Sequence, residues 1–289
     1  MNGPMTTLYA ALRAPSLRAL CLAGLAGCSS VAHRDPVDLE AWRLLTRGQA
    51  ELALAEFDRV EADALDDTAR ARQNLGRSRA LAALGRTEAA TAAVEQTIKH
   101  APSASQGYVD LGVLQLERGD PARALVAFGQ ALELDPNHAI ASFDRGLALF
   151  QLGSLPQARE AFARAIELDP NLGPAYNAQG VLLAKDGDLA DAERAFRQAT
   201  EAGAGIPAFL NLADALMDQG DDRAALVELN AAVRLAPGET DPLLARADVI
   251  LRLGDPQLAA EDLRAALAID PSLGETRALL TVLDASPSN

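Results

Sequence analysis

Two thiols and three imidazoles are the side chains with the most chemistry to offer. Cys21 and Cys28 lie close together near the start, while His33, His100 and His138 are widely separated. Neither set has the spacing of a metal site, since no C-x-x-C or H-E-x-x-H occurs. There is no G-x-S-x-G elbow and no phosphate-binding G-x-x-x-x-G-K-[ST] loop. Gly203 to Ala208 read GAGIPA and fit the loose dinucleotide pattern G-x-G-x-x-A. That pattern cradles a pyrophosphate only between a strand and a helix. Here it follows a helical pattern at Ala192, Phe196 and Ala199, so it reads as a turn. The acid pairs Asp66–Asp67 and Asp221–Asp222 precede helical patterns, where carboxylates offset the helix dipole. No active site, cofactor or metal is expected.

Cys28 is the exception with a context. Arg13 and Arg18 precede a short apolar stretch, Ala19 to Gly27. It is too short to span a bilayer, which takes about 20 residues. A basic start, a short apolar core and small residues make a secretory signal. Leu25, Ala26 and Gly27 stand before Cys28. This resembles the bacterial lipobox, with an ordinary cleaved signal as the competing reading. The resemblance implies cleavage after Gly27 and acylation of the Cys28 thiolate, the strongest side-chain nucleophile. Several acyl chains would anchor the chain in a membrane, because each buried methylene contributes about 0.8 kcal/mol. Serine rather than aspartate at position 29 points, by the enterobacterial sorting pattern, to an outer-membrane lipoprotein facing the periplasm. Residues 1–27 are thus expected to be the signal and 28–33 a tether.

The 289-residue chain carries a formal charge of -14. Residues 1–27 hold two arginines and no acid, so the remainder has 24 basic against 40 acidic residues. Such a body repels phosphate backbones, which excludes nucleic acid as a partner. Apolar residues make up 49% and aromatics only 4%. An alanine-rich, aromatic-poor mixture suits close helix packing.

The elements that organise the chain repeat. Alanine, three residues, phenylalanine or leucine, two residues, alanine recurs at Ala124/Phe128/Ala131, Ala158/Phe162/Ala165 and Ala192/Phe196/Ala199. It continues at Ala225/Leu229/Ala232 and Ala259/Leu263/Ala266, with weaker copies from Ala53 and Ala90. Starts at 53, 90, 124, 158, 192, 225 and 259 differ by 37, 34, 34, 34, 33 and 34. The i, i+4, i+7 spacing puts the three residues on one helical face. A preceding amphipathic segment carries small residues at Ser78, Gly112, Gly146, Gly180, Ala213 and Ala247, where two helices can approach closely. Glycines from Gly85 to Gly254 cap the first helix of each pair. Asp120 and Asp255 cap the next, and prolines such as Pro136 and Pro170 follow the second.

These motifs resemble the tetratricopeptide repeat, a helix–turn–helix unit of 34 residues. The resemblance implies an all-α, right-handed solenoid over 34–285. Its repeats are framed as 34–70, 71–104, 105–138, 139–172, 173–205, 206–239 and 240–273, then a capping helix 274–285 and a tail 286–289. It also implies a concave groove lined by the second, fifth, ninth, twelfth and thirteenth residues of each repeat. Those positions hold Val109, Val113 and Leu116, then Ile140, Phe143, Leu147 and Phe150, then Asn177 and Val181. Apolar side chains turned to solvent at this density suggest a helix or extended peptide as ligand. Phe143 is placed equally well in the core or in the groove, and Phe150 better in the groove. Arg72 and Arg79 face the same groove and could meet an acidic group.

Together these features suggest a non-enzymatic scaffold or adaptor, held to the envelope by Cys28 and binding a protein or peptide. In layout it resembles lipoproteins that assist pilus, secretion or cell-wall assemblies. The alternative is a regulatory or glycan-binding module, which would need aromatic platforms, and this chain is poor in aromatics.

Overall fold

The structure, a computed structural model, describes residues 36–59 and 66–285; the expected signal, Cys28 and the tether lie outside them. Fifteen α-helices and no strand occur among the described residues. They are α1 (Pro36–Thr46), α2 (Ala50–Arg59), α3 (Asp67–Ala83), α4 (Thr87–His100), α5 (Ser105–Glu117), α6 (Pro121–Leu134), α7 (Ala139–Gln151) and α8 (Leu155–Leu168). Then come α9 (Gly173–Asp186), α10 (Leu189–Glu201), α11 (Ile206–Asp218), α12 (Asp222–Leu235), α13 (Thr240–Arg252), α14 (Pro256–Ile269) and α15 (Gly274–Ala285). The chain divides after Asp169 into two units. The first holds hairpins α1/α2 to α7/α8. The second holds α9/α10 to α13/α14 and the single helix α15, which packs on α14.

The helix ends follow local chemistry. Asp120 and Asp255 accept hydrogen bonds from the backbone N–H of Arg123 and Leu258, both at 3.0 Å, and a proline fills the first helical position after each. Asp66 and Asp221 cap α3 and α12 in the same way. GAGIPA lies across the α10–α11 turn, where Gly203 and Gly205 take φ of 74° and 77°.

Three hairpins, α5/α6, α7/α8 and α9/α10, close around an aromatic ring seated where the partner helix lacks a side chain. Phe128, Phe162 and Phe196 are fully buried. A Cβ at Gly112, Gly146 or Gly180 would stand 2.4–2.5 Å from the corresponding ring. Phe57 is seated between hairpins instead, over Gly76 of α3 and edge-on to Trp42 at 5.4 Å. Ser78, which occupies the glycine position of the second repeat, donates to the Ala90 carbonyl at 2.9 Å.

One repeat boundary differs from the expected frame. The second repeat was framed from residue 71, but α3 begins at Asp67. The Asp66 cap starts the helix earlier, and α3 runs to 17 residues where its counterparts have 13 or 14. From Ser105 onward every first helix begins at the framed residue, and α15 spans the framed cap.

The aromatic seat predicts opposite signs at two glycines. Gly146→Ala drives a methyl into Phe162 and should destabilise by about 1–3 kcal/mol. Gly129→Ala, with nothing within 4 Å, should stabilise by about 0.5–1 kcal/mol through reduced unfolded-chain freedom. Chemical denaturation followed by circular dichroism checks both.

Candidate functional site

Within each unit, first helices pack side by side: α1 on α3, α3 on α5 and α5 on α7, and separately α9 on α11 and α11 on α13. They present a face built from residues one repeat apart. The expected groove residues lie on these helices but are mostly deeper than expected. Val109 and Val113 join the core around Phe128. Phe143 is 4% exposed and packs on Phe162, ring centroids 5.8 Å apart. Leu147 and Val181 are 2% and 1% exposed. Phe143 is therefore a packing residue, and the expectation of an apolar surface turned to solvent is corrected for these five. The rings Phe128 and Phe162 on the second helices of the same hairpins take up Val109, Val113 and Phe143. Leu116, Ile140 and Phe150 remain half-buried. Asn177 is buried too, and its Oδ1 accepts from Nδ2 of Asn211 at 2.9 Å.

The face holds a polar network that the sequence reading missed. Arg79 of α3 grips Asp110 of α5 with both ends of its guanidinium: Nε to Oδ2 at 2.6 Å, Nη2 to Oδ1 at 3.0 Å. Gln106 also donates to Asp110, and the Arg79 guanidinium lies 5.7 Å from the centroid of the Trp42 ring of α1. The two charges are almost out of water, with side chains 4% and 11% exposed. A forked, paired guanidinium suits such a place better than an ammonium. Arg79 was expected to face a ligand; it instead ties three successive first helices together. In the second unit Arg246 plays a related part, gripping Asp262 of α14 and donating to Asn230 of α12.

Two carboxylates on first helices are not so compensated. Asp144 of α7 is buried, and neither oxygen has a hydrogen-bond partner. Burial, then the charge of Asp110, pushes its carboxyl up to about 8. Asp214 of α11 is 9% exposed and its Oδ2 has no partner. Burial and the charges of Asp218 and Asp248 push it up to about 7. His138 caps α7, its Nδ1 accepting from the Ala141 N–H at 3.2 Å, and burial lowers its pKa. His100 contacts Asp67 at 3.0 Å. Among the described residues no three histidine, cysteine or acidic side chains converge as metal ligands, and no helix is long and apolar enough to cross a membrane.

An all-α array of helical hairpins, three of them closed by rings on glycines, defines a helical repeat protein. The tetratricopeptide repeat profile matches residues 75–128, 109–172, 177–240 and 210–273, and the chain belongs to the tetratricopeptide repeat family. No curated protein matches the sequence. Among solved structures it is similar to a chain of the Cut9-Hcn1 hetero-tetramer of the APC/C, at 19% identity and a TM-score of 0.68. That match covers 92% of this chain but only 52% of the other. It is also similar to Pseudomonas aeruginosa pilF, at 16% identity and a TM-score of 0.63, over 75% and 99% of the two chains. A third similar structure is PilW, a type IV pilus biogenesis factor, at 22% identity and a TM-score of 0.63, over 73% and 98%. Identities this low establish a shared fold.

Asp144 yields a signed pH prediction. In the unfolded chain it titrates near 3.8, in the folded chain at about 8. Between these values the folded form keeps a proton the unfolded chain has lost, so stability falls as pH rises. The penalty is absent below about pH 4 and complete above about pH 8. Asp144→Asn should melt with wild type near pH 4 and higher than wild type at pH 8, by on the order of 5 °C. Thermal melts across this range check it; an unchanged difference at both ends would contradict the assignment.

Proposed function

We propose that this protein is a lipid-anchored adaptor of the bacterial envelope, tethered through Cys28 and receiving a protein or peptide partner on its first-helix face. The observation that carries the partner-binding half is the half-buried apolar group Leu116, Ile140 and Phe150 on α5 and α7. All three sit at residues that line the groove in the family resemblance. An amphipathic helix or extended segment can bury such side chains further. The lipid anchor is supported by the sequence alone, from Arg13 through Leu25-Ala26-Gly27-Cys28. Periplasmic exposure on the outer membrane follows from that anchor and from Ser29. Two proteins of similar fold, pilF and the pilus biogenesis factor PilW, support assembly of an envelope machine, such as a pilus, as the setting.

Cell fractionation tests the anchor. Wild type should sediment with membranes, and Cys28→Ala should move to the soluble fraction; unchanged sedimentation would contradict acylation. The face is tested by Ile140→Asp with Phe150→Asp, chosen because both side chains are only half-buried. The pair should reduce recovery of crosslinked partner at least tenfold while the helical circular dichroism signal persists. Full recovery would move the binding site elsewhere.

A further inference from the structure

We propose that Asp214, Asp218 and Asp248 form a receptor for a lysine or arginine side chain of the protein partner. The proposal rests on the adaptor reading above and names the partner chemistry for the second unit. Asp214 and Asp248 occupy the ninth residue of consecutive repeats, 34 apart, on the neighbouring helices α11 and α13. Asp218 lies one turn beyond Asp214 on α11. All three fall at groove-lining residues of the family resemblance.

An acidic surface alone would signify solubility. Here one carboxylate is sunk in the face, with an oxygen that no protein group satisfies. The other two are exposed and, among the described residues, form no ion pair. Exposed acids are solvated at little cost. A buried one beside two like charges opposes folding, and both causes appear in the raised pKa of Asp214. The arginines of α13 make their hydrogen bonds elsewhere: Arg246 holds Asp262 and Asn230, and Arg252 feels the charges of Asp248 and Asp218 without bonding either. Arg252 of α13 holds Asp222 through Nε and Nη2, at 2.9 and 2.8 Å, and donates to the Met217 carbonyl.

The geometry selects the kind of cation. The acids do not converge as ligands of one metal ion. An ammonium or guanidinium on a long stem can serve carboxylates spread over two helices. Its methylenes need apolar ground, which Leu244 and Leu251 offer, half-buried on α13. Residues 170–289 hold 9 basic and 19 acidic residues, a net -10, which would draw a basic segment towards this unit.

The test uses the full chain and a fluorescein-labelled peptide of alternating lysine and alanine, beside its acetyl-lysine counterpart, at about 0.15 M salt. Asp214→Asn with Asp248→Asn is compared with Glu201→Gln with Glu261→Gln. The second pair removes the same charge from exposed positions on the second helices α10 and α14. The lysine peptide should bind wild type, bind the aspartate pair about tenfold more weakly, and bind the glutamate pair within about twofold of wild type. The acetylated peptide should not bind. Equal loss in both pairs would reduce the effect to diffuse charge and overturn the proposal. So would equal binding of the acetylated peptide, or no binding of the lysine peptide. Melting curves should show the aspartate pair at least as stable as wild type, so that weaker binding is not unfolding. The pull-down with Ile140→Asp and Phe150→Asp reads the adaptor function separately and can succeed where this receptor fails.

Discussion

The seat of a phenylalanine ring on a glycine is the constraint on which the three hairpins from α5 to α10 depend. With Phe128 over Gly112, Phe162 over Gly146 and Phe196 over Gly180, the two helices of a hairpin approach to ring thickness. Alanines flanking each ring, such as Ala158 and Ala165, are fully buried and leave no room for larger side chains. Interiors packed at crystal-like density leave little slack, so the pairing fixes which face of each helix is spent inside. Within each unit the remaining face of a first helix meets its neighbouring first helix, and only a strip is left for solvent or a partner.

That economy explains the polar inventory of the face. Charges enter the contact between first helices only with compensation, as Arg79 and Asp110 do. Breaking such a buried pair leaves an uncompensated charge, which commonly costs about 3–5 kcal/mol. Asp144 and Asp214 break the rule, since neither has a cation in hydrogen-bonding reach. Both stand on first helices, and both oppose folding at neutral pH. Groups retained at a cost to stability concentrate where a protein works. The two unpaired buried carboxylates thus lie on first helices, not on the outer second ones.

Much of the fold was legible in the sequence because its punctuation is local. Pro136, Pro170 and Pro271 follow their helices by two residues, and Asp120 and Asp255 form the caps expected of them. The alanine–phenylalanine–alanine pattern marked the buried stripe of the second helices. At the start of α3 the punctuation is present as the Asp66 cap, and the helix begins four residues before the framed repeat. The candidate site was less legible for a different reason. Phe143 falls on a groove-lining residue of the family resemblance, yet its ring rests on Phe162 of its own hairpin, a packing choice that spacing does not report. The Arg79–Asp110 grip links residues 31 apart, a separation no helical period reports. Asp144 and Asp214 carry no mark in the sequence, because their distinction is burial without a partner.

The account stands or falls on the first-helix face being the working face. Site-specific photo-crosslinking in living cells tests this most directly, with a photoreactive residue at Leu116 or Ile140 on first helices and at Val126 or Val227 on second helices. Val126 and Val227 are both 64% exposed, so access favours them. The account predicts discrete protein adducts from Leu116 and Ile140 and none from Val126 or Val227. Adducts from the second-helix positions alone would contradict it.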